Sequence, residues 1–229
     1  MSRHAANGSA ARAVFFDLDG TLLDTAPDMA AAVNALRIEQ SLEPLPFATI
    51  RNQVSHGAAA VVRTAFPHAP EADFRALRDR FLTLYRPRVA AESRPFPGMP
   101  ELLDALEAAG VPWGVVTNKP AWLAEPLLEA LALRQRAIAV VSGDTLPERK
   151  PHPRPLLLAA ERAGVAPRAC LYVGDAERDI IAGRAAGMRT LVACFGYIGP
   201  MENARAWPAD GWIDSPQEVL PWIARGEPA

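Results

Sequence analysis

The sequence predicts an α/β protein: a parallel sheet with helices on both faces, interrupted once by an all-helical insert. Three observations carry this. The run Val14-Phe15-Phe16 is uninterrupted rather than alternating, as in a strand buried on both faces. From Gly98 onward, short apolar runs alternate with helical patterns, which is how βαβ units read. Between the two, residues 26–94 have helical spacing and no strand-like alternation.

The first strand ends in Asp17-Leu18-Asp19-Gly20-Thr21-Leu22-Leu23-Asp24-Thr25. Two carboxylates one residue apart, beside a core, repel each other. A metal cation would neutralise them, at the edge where open α/β sheets hold ligands. Gly20 lets the backbone turn sharply and approach a ligand. Thr21 adds a hydroxyl and an N–H placed for a phosphate oxygen. An ordinary Asp- and Gly-rich turn is the plainer alternative.

The insert follows. Residues 26–40 carry Met29, Val33 and Leu36 on one side; 47–66 carry Ile50, Val54, Val61 and Val62; 71–85 carry Phe74, Leu77, Phe81 and Leu84. Arg94-Pro95-Phe96-Pro97-Gly98 ends it. Hinges near Thr25 and Pro95 put the insert over the sheet's carboxyl edge, where a cap excludes water and reads a substrate. Thereafter the pattern gives a helix over 101–109, a strand over 113–117, a helix over 121–131 and a strand over 137–141. A helix over 154–163, a strand over 170–173, a helix over 177–186 and strands over 189–193 and 212–213 come next, with a closing helix over 216–224. Gly110 and Gly164 read as helix C-caps. Pro27, Pro100, Pro120, Pro126 and Pro155 suit first helical turns.

Composition sets outer limits. At 229 residues, half of them hydrophobic, the chain can fill a core domain plus a smaller one. A net charge of -2 argues against nucleic-acid binding through a basic surface. No run reaches the roughly 18 apolar residues of a membrane span. Residues 1–11 are small and polar, without the apolar core of a secretory signal, and read as a disordered leader. Cys170 and Cys194 lack metal-ligand spacing and read as buried thiols in a reduced, cytoplasmic protein.

Three more strand ends carry polar groups. Thr117-Asn118-Lys119-Pro120 offers a hydroxyl and an amide to a phosphate, or a Thr N-cap to the next helix. Lys150 precedes a proline and is held in extended backbone, where it either neutralises an anion or points to water. Asp175 and Asp179, four apart at a helix start, supply hard oxygen ligands for magnesium or cap the helix.

Singly these signals are ambiguous, but Asp-x-Asp, Thr, Lys-Pro and Gly-Asp-x-x-x-Asp in this order resemble the four motifs of the haloacid dehalogenase superfamily. The resemblance runs over 12–223 and implies a Rossmann-like core (12–25 and 95–229). The insert (26–94) is similar to that superfamily's C1 caps. The resemblance further implies Asp17 as nucleophile and Asp19 as general acid and base. Thr117, Asn118 and Lys150 would bind phosphate. Mg2+ would be held by Asp17, Asp175 and the backbone carbonyl of Asp19, with Asp179 supporting the shell. Ala176 departs from the Ser or Thr common at that position. Asp24-Thr25-Ala26-Pro27-Asp28, Trp113 through Pro120, and Phe195-Gly196-Tyr197-Ile198 resemble the N-acetylmuramic acid 6-phosphate phosphatases of cell-wall recycling, within the phosphoglycolate phosphatase-like group. The implied activity is phosphatase action on a small ester, with phosphoglycolate the alternative substrate; a phosphosugar mutase or a non-enzymatic binding protein ranks below these. Within the cap, Ser55-His56-Gly57-Ala58 breaks the helical pattern, and His56 is a candidate contact for a substrate carboxylate or hydroxyl. A monomer or homodimer is expected.

Overall fold

The computed structural model describes residues 10–223. The expected leader therefore lies almost wholly outside the described residues. Ala11, which that expectation included, is buried, donates its N–H to the Trp222 carbonyl and bridges Ile223.

In chain order the elements are β1 (Ala13–Phe16), β2 (Leu23–Asp24), α1 (Ala26–Glu39), α2 (Phe47–Arg51), α3 (Gly57–Ala65), α4 (Glu71–Tyr85) and β3 (Arg94–Pro95). Then come α5 (Met99–Ala108), β4 (Trp113–Val116), α6 (Ala121–Ala130), β5 (Val140–Val141) and α7 (Arg154–Ala163). β6 (Cys170–Gly174), α8 (Glu177–Ala185), β7 (Arg189–Ala193) and β8 (Gly211–Ile213) complete the set. Six strands form one parallel sheet in the order β5-β4-β1-β6-β7-β8.

The uninterrupted apolar strands are explained by the two layers of helices. Val14, Phe16, Leu171 and Val173 pack on one face with Leu102, Leu106, Leu123 and Leu127 of α5 and α6. Ala13, Phe15, Cys170 and Tyr172 pack on the other with Leu156, Ala159 and Ala182 of α7 and α8. The chain runs outward from β1 through β4 to β5, then returns to β6 on β1's other side. Strand order thus reverses beside β1, and the crevice at the carboxyl ends there is where such sheets bind ligands. Register levels those ends: Phe16 pairs with both Val115 and Val173.

The structure departs from the sequence reading at five places. The 47–66 pattern is two helices, because residues 52–56 form a turn and Gly57 takes φ +84°. Strand 137–141 shortens to β5. The closing helix is a 3-10 turn over Pro216–Trp222; Pro221 inside it has no N–H for an α-helical bond, and position 224 lies outside the described residues. Pro126 sits inside α6 rather than in its first turn, on the exposed side of the helix. Cys194 is only half-buried, unlike Cys170; both thiols are free.

The connections between sheet and insert form a two-residue antiparallel ribbon, Leu23 opposite Pro95 and Asp24 opposite Arg94. This ribbon is too short for any periodicity to announce it. Two buried side chains brace it. The Tyr197 hydroxyl accepts from the N–H groups of Thr25 (2.6 Å) and Ala26 (2.9 Å) and donates to Asp24 Oδ1 (2.6 Å). Burial first, and the Asp24 charge second, push this phenol's pKa up, so it remains a donor. The fully buried Asp28 carboxylate accepts from Glu92 N–H and from both N–H and hydroxyl of Ser93. Tyr197→Phe would leave two N–H groups and a carboxylate without this partner. The expected cost is about 1–3 kcal/mol of unfolding free energy, measured by urea denaturation.

Candidate active site

β1 delivers Asp17 directly to the crevice, with its N–H donating to the Val173 carbonyl (2.9 Å). Lys150 comes from the loop after β5 and is fully buried at its side chain. Its Nζ lies 2.9 Å from Asp17 Oδ1 and 2.7 Å from Asp179 Oδ1, and donates to the Tyr172 hydroxyl at 2.7 Å. Tyr172 in turn donates to the Val116 carbonyl (2.8 Å), so β4 and β6 jointly position the lysine.

Asp175, just past β6, and Asp179, in the first turn of α8, complete a buried carboxylate group. One oxygen each from Asp17, Asp175 and Asp179 lie within 4.8 Å of one another. Burial first, then the charges of Asp17 and Asp179, push the Asp175 carboxyl up to about 7. Burial likewise raises Asp179. Three hard-oxygen donors held this close against their own repulsion fit a small divalent cation. Asp175 is fixed by Tyr197 N–H (2.9 Å), Ser55 Oγ (2.6 Å) and Thr21 Oγ1 (3.3 Å). The backbone around it is packed to contact. A Cβ on Gly20, at φ +86°, would sit 2.1 Å from Asp175 Oδ2, and one on Gly196 2.4 Å from Asp175 Cβ. Asp175 precedes α8 rather than sharing its face with Asp179. Ala176 is the N-cap residue, and Asp179 Oδ2 accepts its N–H at 3.1 Å, the half of a capping box that the N3 carboxylate supplies; Ala176 has no side-chain oxygen for the other half.

Asp19 stands apart. Its Oδ1 accepts from Thr25 Oγ1 (2.6 Å) and Lys119 Nζ (2.9 Å). Lys119 also donates to the Tyr85 hydroxyl (2.9 Å) from the end of α4. Burial pushes that phenol up to about 12, so it stays neutral. Two carboxylates from one strand end thus have different surroundings, one in an acidic cluster and one on a lysine.

A cavity of about 430 Å³ joins these groups, with Asp17, Asp19 and Thr117 on the sheet side and Ser55, His56 and Tyr85 on the insert side. Thr117 is buried and caps no helix: its Oγ1 accepts Lys119 N–H (3.1 Å), and α6 starts at Ala121. His56 borders the cavity half-exposed, with Nε2 3.5 Å from Glu202 Oε1.

Asn118 corrects the sequence reading. Its side chain is not directed at a phosphate: Nδ2 donates to the Lys150 carbonyl (2.9 Å) and Oδ1 accepts the Lys150 N–H (3.0 Å). It holds the lysine's backbone. Lys119, Ser55, Tyr85, Tyr197 and Arg178, whose guanidinium donates to the Ser55 carbonyl, were not assigned from sequence. Lys119 and Ser55 lie inside the motifs quoted for their neighbours. Nothing local distinguishes a buried, paired lysine from a solvated one.

The family model described as "Haloacid dehalogenase-like hydrolase" matches residues 14–193. The chain belongs to the haloacid dehalogenase-like hydrolases. It is 47% identical over 208 residues to a phosphoglycolate phosphatase of Xanthomonas campestris pv. campestris, covering 91% of this chain and 94% of that protein. It is 44% identical over 217 residues to an N-acetylmuramic acid 6-phosphate phosphatase of Pseudomonas aeruginosa, covering 93% and 95%. Among solved structures, that of a predicted phosphoglycolate phosphatase from Haemophilus somnus matches with TM-score 0.81 and 29% identity over 92% of this chain and 96% of that one. Among the described residues of this hydrolase, no helix is long and apolar enough to cross a membrane.

In this hydrolase Asn118→Ala should free the Lys150 loop without opening the core. The hydrolysis rate should fall about 10–100-fold while the melting temperature stays close to that of the parent, which steady-state kinetics and calorimetry would check.

Proposed function

We propose that this phosphoric monoester hydrolase releases phosphate from a small sugar-acid ester through a covalent phosphoryl group on Asp17, with Mg2+ bound. The observation that carries the reading is the contrast between the two carboxylates at the end of β1. Asp17 lies in the acidic cluster beside Lys150, while Asp19 is turned to Lys119 and Thr25 at the cavity wall. Phosphoryl transfer needs one group to attack and another to handle the leaving group's proton.

In this reading an Asp17 oxygen bonds to phosphorus as the P–O bond to the sugar oxygen breaks. The departing oxygen takes the proton from Asp19. Asp19 then accepts a proton from water as that water attacks phosphorus, and the Asp17–phosphorus bond breaks. Lys150 neutralises charge on the phosphoryl oxygens, and the buried Thr117 hydroxyl donates to one of them. Asp17, Asp175 and the Asp19 carbonyl would hold Mg2+, with Asp179 supporting. When bound, the ion offsets phosphoryl charge and orients the ester.

Relatives named for phosphoglycolate and for N-acetylmuramic acid 6-phosphate have similar identity, so names do not select the ester. Cavity size favours the muramic ester: a two-carbon acid would leave most of 430 Å³ empty. A mutase would act on the same bond but return an isomer rather than free phosphate. The free thiols accord with a cytoplasmic enzyme, and a monomer or homodimer is the proposed assembly.

Phosphate release would be measured with Mg2+ from N-acetylmuramic acid 6-phosphate, phosphoglycolate, several hexose phosphates and an aryl phosphate. The muramic ester should give the highest kcat/KM, and EDTA or Asp17→Asn should abolish turnover. Preference for phosphoglycolate would overturn the substrate, and no release from any ester would overturn the phosphatase reading. Ser55→Ala removes a hydrogen bond from Asp175. It should weaken Mg2+ affinity about 10–100-fold in a calorimetric titration, while the fold is retained.

A further inference from the structure

Four cations border the cavity, Arg78, Lys119, Arg149 and Arg178, against two carboxylates, Asp17 and Asp19. Most of these groups already have partners. Asp17 is paired with Lys150, Asp19 with Lys119, and Arg178 donates to the Ser55 carbonyl. Arg78 differs. One of its terminal nitrogens lies 3.2 Å from the exposed Asp79 carboxylate, a contact screened by solvent. Its Nε is buried and has no hydrogen-bond partner. The side chain is 43% exposed, so its terminal nitrogens are open to an acceptor that comes with a ligand in the cavity.

Its place in α4 says where that acceptor sits. Arg78, Leu82 and Tyr85 all border the cavity, at the spacing of one helix face. Tyr85 marks the end where Lys119 and Asp19 meet. Arg78 stands seven residues earlier, about 10 Å along the helix axis at 1.5 Å per residue. Arg78 thus enters the cavity from a point of α4 set apart from the end where Asp19 and Lys119 meet.

We propose that Arg78 is a specificity residue that binds a second anion of the substrate, a carboxylate carried across a sugar ring from the phosphate. The inference rests on the phosphatase reading above and sharpens it. In phosphoglycolate a single methylene separates phosphate ester and carboxylate, a much shorter span than a sugar ring provides. In this reading a hexose 6-phosphate with an acidic ether on the far side of its ring meets both Asp19 and Arg78.

The test compares N-acetylmuramic acid 6-phosphate with N-acetylglucosamine 6-phosphate, which keeps the ring and phosphate but lacks the acidic ether. Kinetics would use the parent, Arg78→Met and Arg78→Lys. The parent should favour the acidic ester about 10–100-fold in kcat/KM, chiefly through KM. Arg78→Met should bring that ratio close to one, and Arg78→Lys should restore part of it. Calorimetry on Asp17→Asn, alone and combined with Arg78→Met, would measure Kd for both esters without turnover. A parent ratio near one overturns the inference. So does a variant that weakens both esters equally, which would mark Arg78 as structural. No phosphate release from either ester, with a calorimetric preference that Arg78→Met removes, would sink the phosphatase reading and leave the anion site standing.

Discussion

The arrangement depends on like charges held together. Asp17, Asp175 and Asp179 are buried within a few ångströms of one another, with Lys150 as the cation among them. Burying a carboxylate is costly, and burying three side by side is worse unless each has donors. The surrounding structure supplies them. Asp175 receives three hydrogen bonds, two from side chains, and Asp179 receives the N–H of the α8 N-cap. Tyr172 and Asn118 fix Lys150 from the sheet and from the neighbouring loop. Much of the polar packing at the carboxyl edge serves this one group. So unfavourable a buried cluster is the kind of arrangement that marks a functional site.

The fold was largely legible because its strands are buried on both faces. Phe15 and Phe16 point to opposite helix layers, so the run could not alternate, and this is the signal of a central parallel strand. Helix existence followed from spacing. Elements differed where a glycine or proline acted locally, at Gly57 and Pro221. The β2–β3 ribbon has two residues per strand, and its stability comes from Tyr197 and Asp28 across long sequence separations. No local pattern encodes such a brace.

The site was legible in its motifs but not in its partnerships. Asp17, Asp19 and Asp175 could be named because they follow strand ends that the sheet register brings level, and Lys150 and Asp179 because they complete the motif order, from the loop after β5 and the first turn of α8. What each touches is decided by the other chain segments that reach it. Asn118 looked like a phosphate donor because it follows Thr117; the structure gives its amide to the Lys150 backbone. His56 drew attention in the break between α2 and α3, whereas Ser55 beside it reaches Asp175.

The insert therefore does more than cover the crevice. Through Ser55 it contacts a member of the acidic cluster, and through Tyr85 it contacts the lysine that holds Asp19. One helical unit, tied at a short ribbon, thus touches both carboxylate environments at once. Enclosing a ligand and completing the polar surroundings of the reacting groups become the same packing event. This follows from where the insert enters the sheet. A connection placed directly after the first acidic strand end returns over that end, so its side chains fall among those of the candidate site. Specificity read by such an insert is then coupled to chemistry through contact rather than through distance. A ligand lying against α4 would adjoin the Tyr85–Lys119 support of Asp19.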